Sequence, residues 1–104
     1  MIDNFDTLNI LRKIKNNPNQ AQRTLASQLG FSLGKLNYAL QALKDKGLIK
    51  IKNFKNNKTK INYIYILTPR GISAKTKLTI KFMKQKLKEY DELRLEHEIE
   101  KKKK

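Results

Sequence analysis

Residues 25–49 read LASQLGFSLGKLNYALQALKDKGLI. Leu25, Ala26 and Leu29 fall on one stripe of a short helix from Ala21 to Leu29. It stops at Gly30, the residue type favoured where a helix ends in a left-handed turn. Ser32 then offers a hydroxyl to the first turn of the next helix, whose Leu33, Leu36, Leu40 and Leu43 recur at spacings of 3, 4 and 3 before Lys46-Gly47. Two helices joined across such a turn bury their leucines against each other, and β-forming residues begin at once with Leu48 and Ile49. With the leucines inward, Gly34, Lys35, Asn37, Tyr38, Gln41 and Lys44 face outward.

Upstream, Phe5, Leu8, Leu11 and Ile14, with Ile10 beside them, predict a helix over Asn4 to Lys15, closed by the breaker run Lys15-Asn16-Asn17-Pro18-Asn19. Downstream, Ile51 and the run Tyr63 to Leu67 flank the polar stretch Asn53 to Lys60, the pattern of a hairpin. Thr68 is a candidate N-cap, Pro69 suits a first helical turn, and no later proline interrupts a helix running toward Glu100, about 45 Å at 1.5 Å per residue. There is no internal repeat. The expected architecture is mainly α with a β-hairpin wing (α+β): a winged helix-turn-helix over 1–68, a long helix over 69–100 and a frayed lysine tail over 101–104.

Charge narrows the partner. The 104 residues carry 24 Lys and Arg against 9 Asp and Glu, a net charge of +15 that calls for a polyanion. Residues 48–70 hold six bases and no acid, and so do residues 71–88, so the positive field is concentrated in the middle of the chain. Lys, Asn and Ile are frequent enough that some basicity could be compositional, which makes this distribution the better guide. No apolar run reaches the roughly 18 residues of a spanning helix, and Met1 to Asn17 lacks a signal-peptide core, so a cytoplasmic location is expected. Zero cysteines exclude disulfides and thiolate metal sites, and His97 alone cannot build a histidine site, so no cofactor is expected.

The open face of the second motif helix is the candidate reader of double-stranded DNA. Asn and Gln match the adenine edge bidentately, which assigns Asn37 and Gln41, with Tyr38, to base edges and Lys35 to a phosphate or guanine. Gly34 allows close approach of backbone and phosphate, while Ser32 and Lys44 lie at the ends of the same surface. Tyr38 has a second option, packing on the first helix. On the hairpin, Lys50, Lys52, Lys55, Lys58 and Lys60 can follow the phosphate backbone while the tip Asn56-Asn57-Lys58-Thr59 reaches the minor groove. The contacts singled out on the wing are Lys52, Lys55, Asn57, Lys58 and Lys60.

In the long helix Ile80, Met83, Leu87 and Tyr90 follow 3, 4, 3 spacing, with Leu78, Phe82 and Leu93 widening the stripe. The expected cover is the same helix of a second copy, the alternative being that it folds back on its own domain. Two-fold dimers match pseudo-palindromic sites. The basic run Lys75 to Lys88 followed by acids from Glu89 favours an antiparallel pairing.

At LASQLGFS, LNYALQALKDKGLIK and YIYILTPRG the chain resembles the MarR-type winged-helix regulators, and most closely the short exopolysaccharide-associated subgroup, over nearly its whole length. The LNY-containing helix and the LTPRG junction carry the subgroup resemblance. It implies DNA-binding transcriptional control, with polysaccharide gene clusters as the implied target. Two departures stand out. Ala21 replaces a frequent capping Ser, so the second helix could start at Asn19 or fray. The Asp-x-Arg wing of the larger drug-sensing members is replaced by Lys55 to Lys60, which argues against a small-molecule effector.

Other classes fit less well. No nucleophile sits beside paired acids, and four glycines build no phosphate-cradling loop, so an enzyme is not expected. A non-specific packaging or RNA-binding protein would suit the net charge but not a face offering amides, and a pure protein adaptor would not need a basic wing.

Overall fold

Asp3 starts the first helix by accepting the Asp6 amide on Oδ1 at 2.7 Å, and α1 runs Asn4–Asn16. The computed structural model describes residues 2–55 and 61–103, and of 53–55 and 61–63 the backbone alone. Two further short helices follow, α2 (Gln22–Leu29) and α3 (Leu33–Asp45), then β1 (Ile49–Lys55), β2 (Ile61–Leu67) and α4 (Pro69–Lys102). Mainly helical with one antiparallel hairpin, this is the expected winged-helix architecture.

The local signals act as read. Ala21 is the N-cap of α2 and makes no side-chain bond, so α2 begins one residue later than expected and does not extend back to Asn19. Gly30 ends it at φ 71°, its amide donating to Ala26 and Ser27 carbonyls. Ser32 Oγ accepts the Lys35 amide at 3.1 Å, starting α3. The strands pair Ile49 with Leu67 through to Lys55 with Ile61, so they reach into the stretch 53–60 expected to be loop. Thr68 Oγ1 accepts the Gly71 amide at 2.9 Å and opens α4, which ends at Lys102, two residues past Glu100.

The core joins three helices and the hairpin. Ile10, Leu11 and Ile14 of α1 meet Leu25 and Ala26 of α2, Leu36, Ala39, Leu40 and Leu43 of α3, and Ile49 and Tyr65 of the strands. Tyr65, expected only as a strand former, is buried because it bridges the layers: its hydroxyl accepts from Gln22 Nε2 at 2.8 Å and its amide donates to the Pro18 carbonyl at 3.2 Å. Two expected inward residues are not in the core. Leu33 is 41% exposed because it is the first residue of α3, and Leu36 is the first to reach the packed layer. Phe5 is 48% exposed and meets Phe82 of α4 edge-on, ring centroids 5.3 Å apart, instead of the α2–α3 pair.

A tight junction fastens α4 to the winged helix. Thr68 Oγ1 donates to the Gly47 carbonyl at 2.6 Å, and the Thr68 amide donates to the Leu48 carbonyl at 3.0 Å. Gly71 is the buried residue of α4, and a Cβ there would overlap the Leu48 carbonyl, which explains a glycine inside a helix. Beyond this junction α4 projects. The radius of gyration is 18.5 Å, against about 13 Å for a globule of this length.

Candidate nucleic-acid interface

From Leu36 onward α3 divides into two faces. Leu36, Ala39, Leu40 and Leu43 are buried, while Ser32, Gly34, Lys35, Asn37, Tyr38, Gln41 and Lys44 are all exposed. Tyr38 stands 57% exposed, so packing on α1 does not cover it. A Cβ at Gly34 would meet nothing within 4 Å, so the helix surface there is open to an approaching backbone. The six outward residues expected from spacing therefore share one accessible surface of one helix, about 10 to 12 Å across with side chains, a size that fits the major groove of B-DNA, about 12 Å wide.

Two of these side chains already have partners. Lys35 Nζ lies 3.1 Å from Asp6 Oδ2 and 4.1 Å from the centroid of the Phe31 ring, so it leans toward α1. Both ends of this ion pair are partly solvated, which makes the pair weak and open to exchange for a phosphate. Gln41 Nε2 donates to Asp45 Oδ1 at 3.0 Å, one helical turn on. Neither acid was among the sequence candidates. Asp45 was detectable from its i,i+4 spacing to Gln41, whereas Asp6 lies 29 positions from Lys35 and nothing in the sequence joins them.

On the wing, Lys50 and Lys52 are exposed on β1, opposite Ile66 and Ile64, while Ile49 and Tyr65 are buried. Alternation along the strand thus turns the lysines away from the core. Lys55 is the last residue of β1, its side chain not described, and Asn57, Lys58 and Lys60 lie outside the described residues together with Asn56 and Thr59.

The stripe on α4 divides. Leu78 and Phe82 are half-buried, Phe82 against Phe5, while Ile80, Met83, Leu87 and Tyr90 are 48 to 64% exposed. Between α1 and α4 runs an open groove of about 910 Å³, with Leu8, Phe82, Met83 and Leu87 among its apolar walls and Arg12, Lys75, Lys84 and Lys86 along it. Among the described residues no helix is long and apolar enough to cross a membrane.

A winged helix-turn-helix DNA-binding model matches residues 7–50, the span from α1 to the start of β1. No curated protein matches the sequence. Among solved structures, Staphylococcus aureus MarR in complex with salicylate and kanamycin superposes with a TM-score of 0.64 at 19% identity, covering 83% of this chain and 56% of its own. The zinc-responsive MarR family member ZitR of Lactococcus lactis gives 0.64 at 24% identity, covering 85% and 58%. Wild-type ZitR in complex with DNA gives 0.62 at 18% identity, covering 89% and 60%. The chain thus spans 56 to 60% of the chain length in these three structures. It shares their winged-helix fold, and its residues 7–50 carry the winged helix-turn-helix DNA-binding pattern.

Proposed function

We propose that the chain is a sequence-specific regulator of transcription that binds double-stranded DNA as a homodimer, with α3 in the major groove and the hairpin on the backbone and minor groove. The observation that carries this reading is the outward face of α3: amide, hydroxyl and cationic groups all accessible on a helix whose other side is core. Asn37 and Gln41 read base edges, Tyr38 contacts a base or sugar, and Ser32, Gly34, Lys35 and Lys44 meet the backbone. Lys52, Lys55, Asn57, Lys58 and Lys60 form the basic wing. ZitR has been seen with DNA on the same fold, which supports carrying that partner over. The LNY helix and LTPRG junction make polysaccharide gene clusters the first targets to examine, with repression by occupancy as the mode of action. The site of action is the cytoplasm.

The dimer rests on α4. Its exposed Ile80, Met83, Leu87 and Tyr90 need cover, and its basic first half faces the acidic second half of a partner when two copies run antiparallel. The net charge of +15 favours one competing reading, non-specific nucleic-acid binding. Selection from random duplex DNA separates the two. A recovered pseudo-palindrome supports the regulator, and recovery of no consensus supports the alternative. In the first case an Asn37→Ala, Gln41→Ala double variant loses the preferred sequence, each change costing about 1 to 3 kcal/mol on that site and little elsewhere.

A further inference from the structure

Gly34, Tyr38, Gln41 and Asp45 follow one another at spacings of 4, 3 and 4, so they form the stripe opposite Leu36, Leu40 and Leu43. Asp45 is therefore an acid on the most outward line of the helix that carries the DNA-reading face. Residues 1–70 contain three acids. Asp3 caps α1 and Asp6 pairs with Lys35, which leaves Asp45, whose partner among the described residues is Gln41.

Its position is costly on general grounds. Asp45 is the last residue of α3, where the helix dipole disfavours a carboxylate, and any approaching phosphate would be repelled by it. What it gains is the 3.0 Å bond from Gln41 Nε2. A primary amide has two N–H groups. With one held by the carboxylate, the flipped amide is disfavoured because it would set Oε1 against the carboxylate, which leaves Oε1 and the second N–H for a ligand in a set order. One acceptor and one donor side by side match the amino group and N7 of adenine.

We propose that Asp45 is a specificity-determining positioning residue: it orients the Gln41 amide toward adenine and, by its charge, weakens binding to duplexes that lack that contact. The proposal rests on the DNA-reading role of α3 given above. Removing the carboxylate then has two opposite consequences. Affinity for arbitrary duplex rises, because one repulsive charge is gone, while preference at the base read by Gln41 falls. A residue needed only for folding would lower both.

The test compares wild type, Asp45→Asn and Asp45→Ala by affinity for a random duplex and by base preference at each position of the selected site. Asp45→Ala should bind random duplex about two- to five-fold more tightly, the scale of one exposed charge interaction. It should also lose at least about five-fold of the adenine preference at one position. Asp45→Asn, which keeps an acceptor for Gln41, should show the tighter binding with most of the preference retained. In a Gln41→Ala background the Asp45→Ala change should leave base preference unaltered. Nitrogen relaxation of the Gln41 side-chain amide in the free protein should show motion restricted in wild type and released in Asp45→Ala. A wild type that selects a sequence while Asp45→Ala keeps the same preference overturns this role and leaves the DNA-reading function intact. A wild type that binds no duplex, or binds with no preference, overturns both.

Discussion

Between Asn4 and Leu67 the chain puts Ile10, Leu11, Ile14, Leu36, Leu43, Ile49 and Tyr65 at 2% exposure or less, whereas along α4 Ile80, Met83, Leu87, Tyr90, Leu93, Leu95 and Ile99 stand 47 to 65% exposed. Both regions are helical and both carry apolar residues at helical spacing. They differ in what lies opposite. In the winged helix each apolar stripe meets another element, so burial worth about 1.5 to 3 kcal/mol per large side chain stabilises the fold within one chain. On α4 the junction at Thr68 and Gly71 and the Phe5–Phe82 contact hold the helix as far as Phe82, while Ile80 and the stripe beyond Phe82 stand exposed. Periodicity therefore marks a face that needs cover without saying whether the cover is internal.

The sharpest contrast comes from cutting equivalent leucines. Leu36→Ala removes a side chain at 0% exposure among α1, α2 and the hairpin and should lower stability by about 2 to 5 kcal/mol in chemical denaturation. Leu87→Asp, at a residue 61% exposed, should leave the unfolding of the winged helix nearly unchanged while abolishing the proposed dimer. Sedimentation at tens of micromolar checks this. A wild type that runs as a monomer, or a Leu87→Asp variant that stays dimeric, would remove α4 from the interface.

Smaller effects probe the boundary between the two regions. Thr68→Val deletes both the bond to Gly47 and the cap on Gly71, and should cost about 1 to 2 kcal/mol. It should also raise amide exchange in the first turn of α4 more than in α1. A uniform rise instead would mean that the junction is not a separate unit. Smallest is Glu89→Gln, which breaks the exposed Lys86–Glu89 pair at 3.6 Å and should change stability by under about 0.5 kcal/mol. A larger loss, seen only at concentrations where the chain dimerises, would place Glu89 in contact with a second copy.

The sequence by itself determined the elements that depend on neighbours in the chain: the Ser32 and Thr68 starts, the Gly30 stop, the Leu36, Leu40 and Leu43 stripe of α3 and the alternation of Lys50 and Lys52 on the wing. Those signals are local, set by capping hydrogen bonds, φ preference and side-chain period, so they survive without knowledge of the fold. The outward face of α3 was legible for the same reason, since fixing the leucines inward fixes Asn37, Tyr38 and Gln41 outward. Tertiary structure alone decided contacts between distant residues. It turned Lys35 toward Asp6, buried Tyr65 against Gln22 and Pro18, drew Phe5 to Phe82, left Leu33 outside the core and required Gly71 to be a glycine. Each of these depends on how whole helices and strands cross, and a crossing is set by the summed packing of the core, which no single spacing in the sequence encodes.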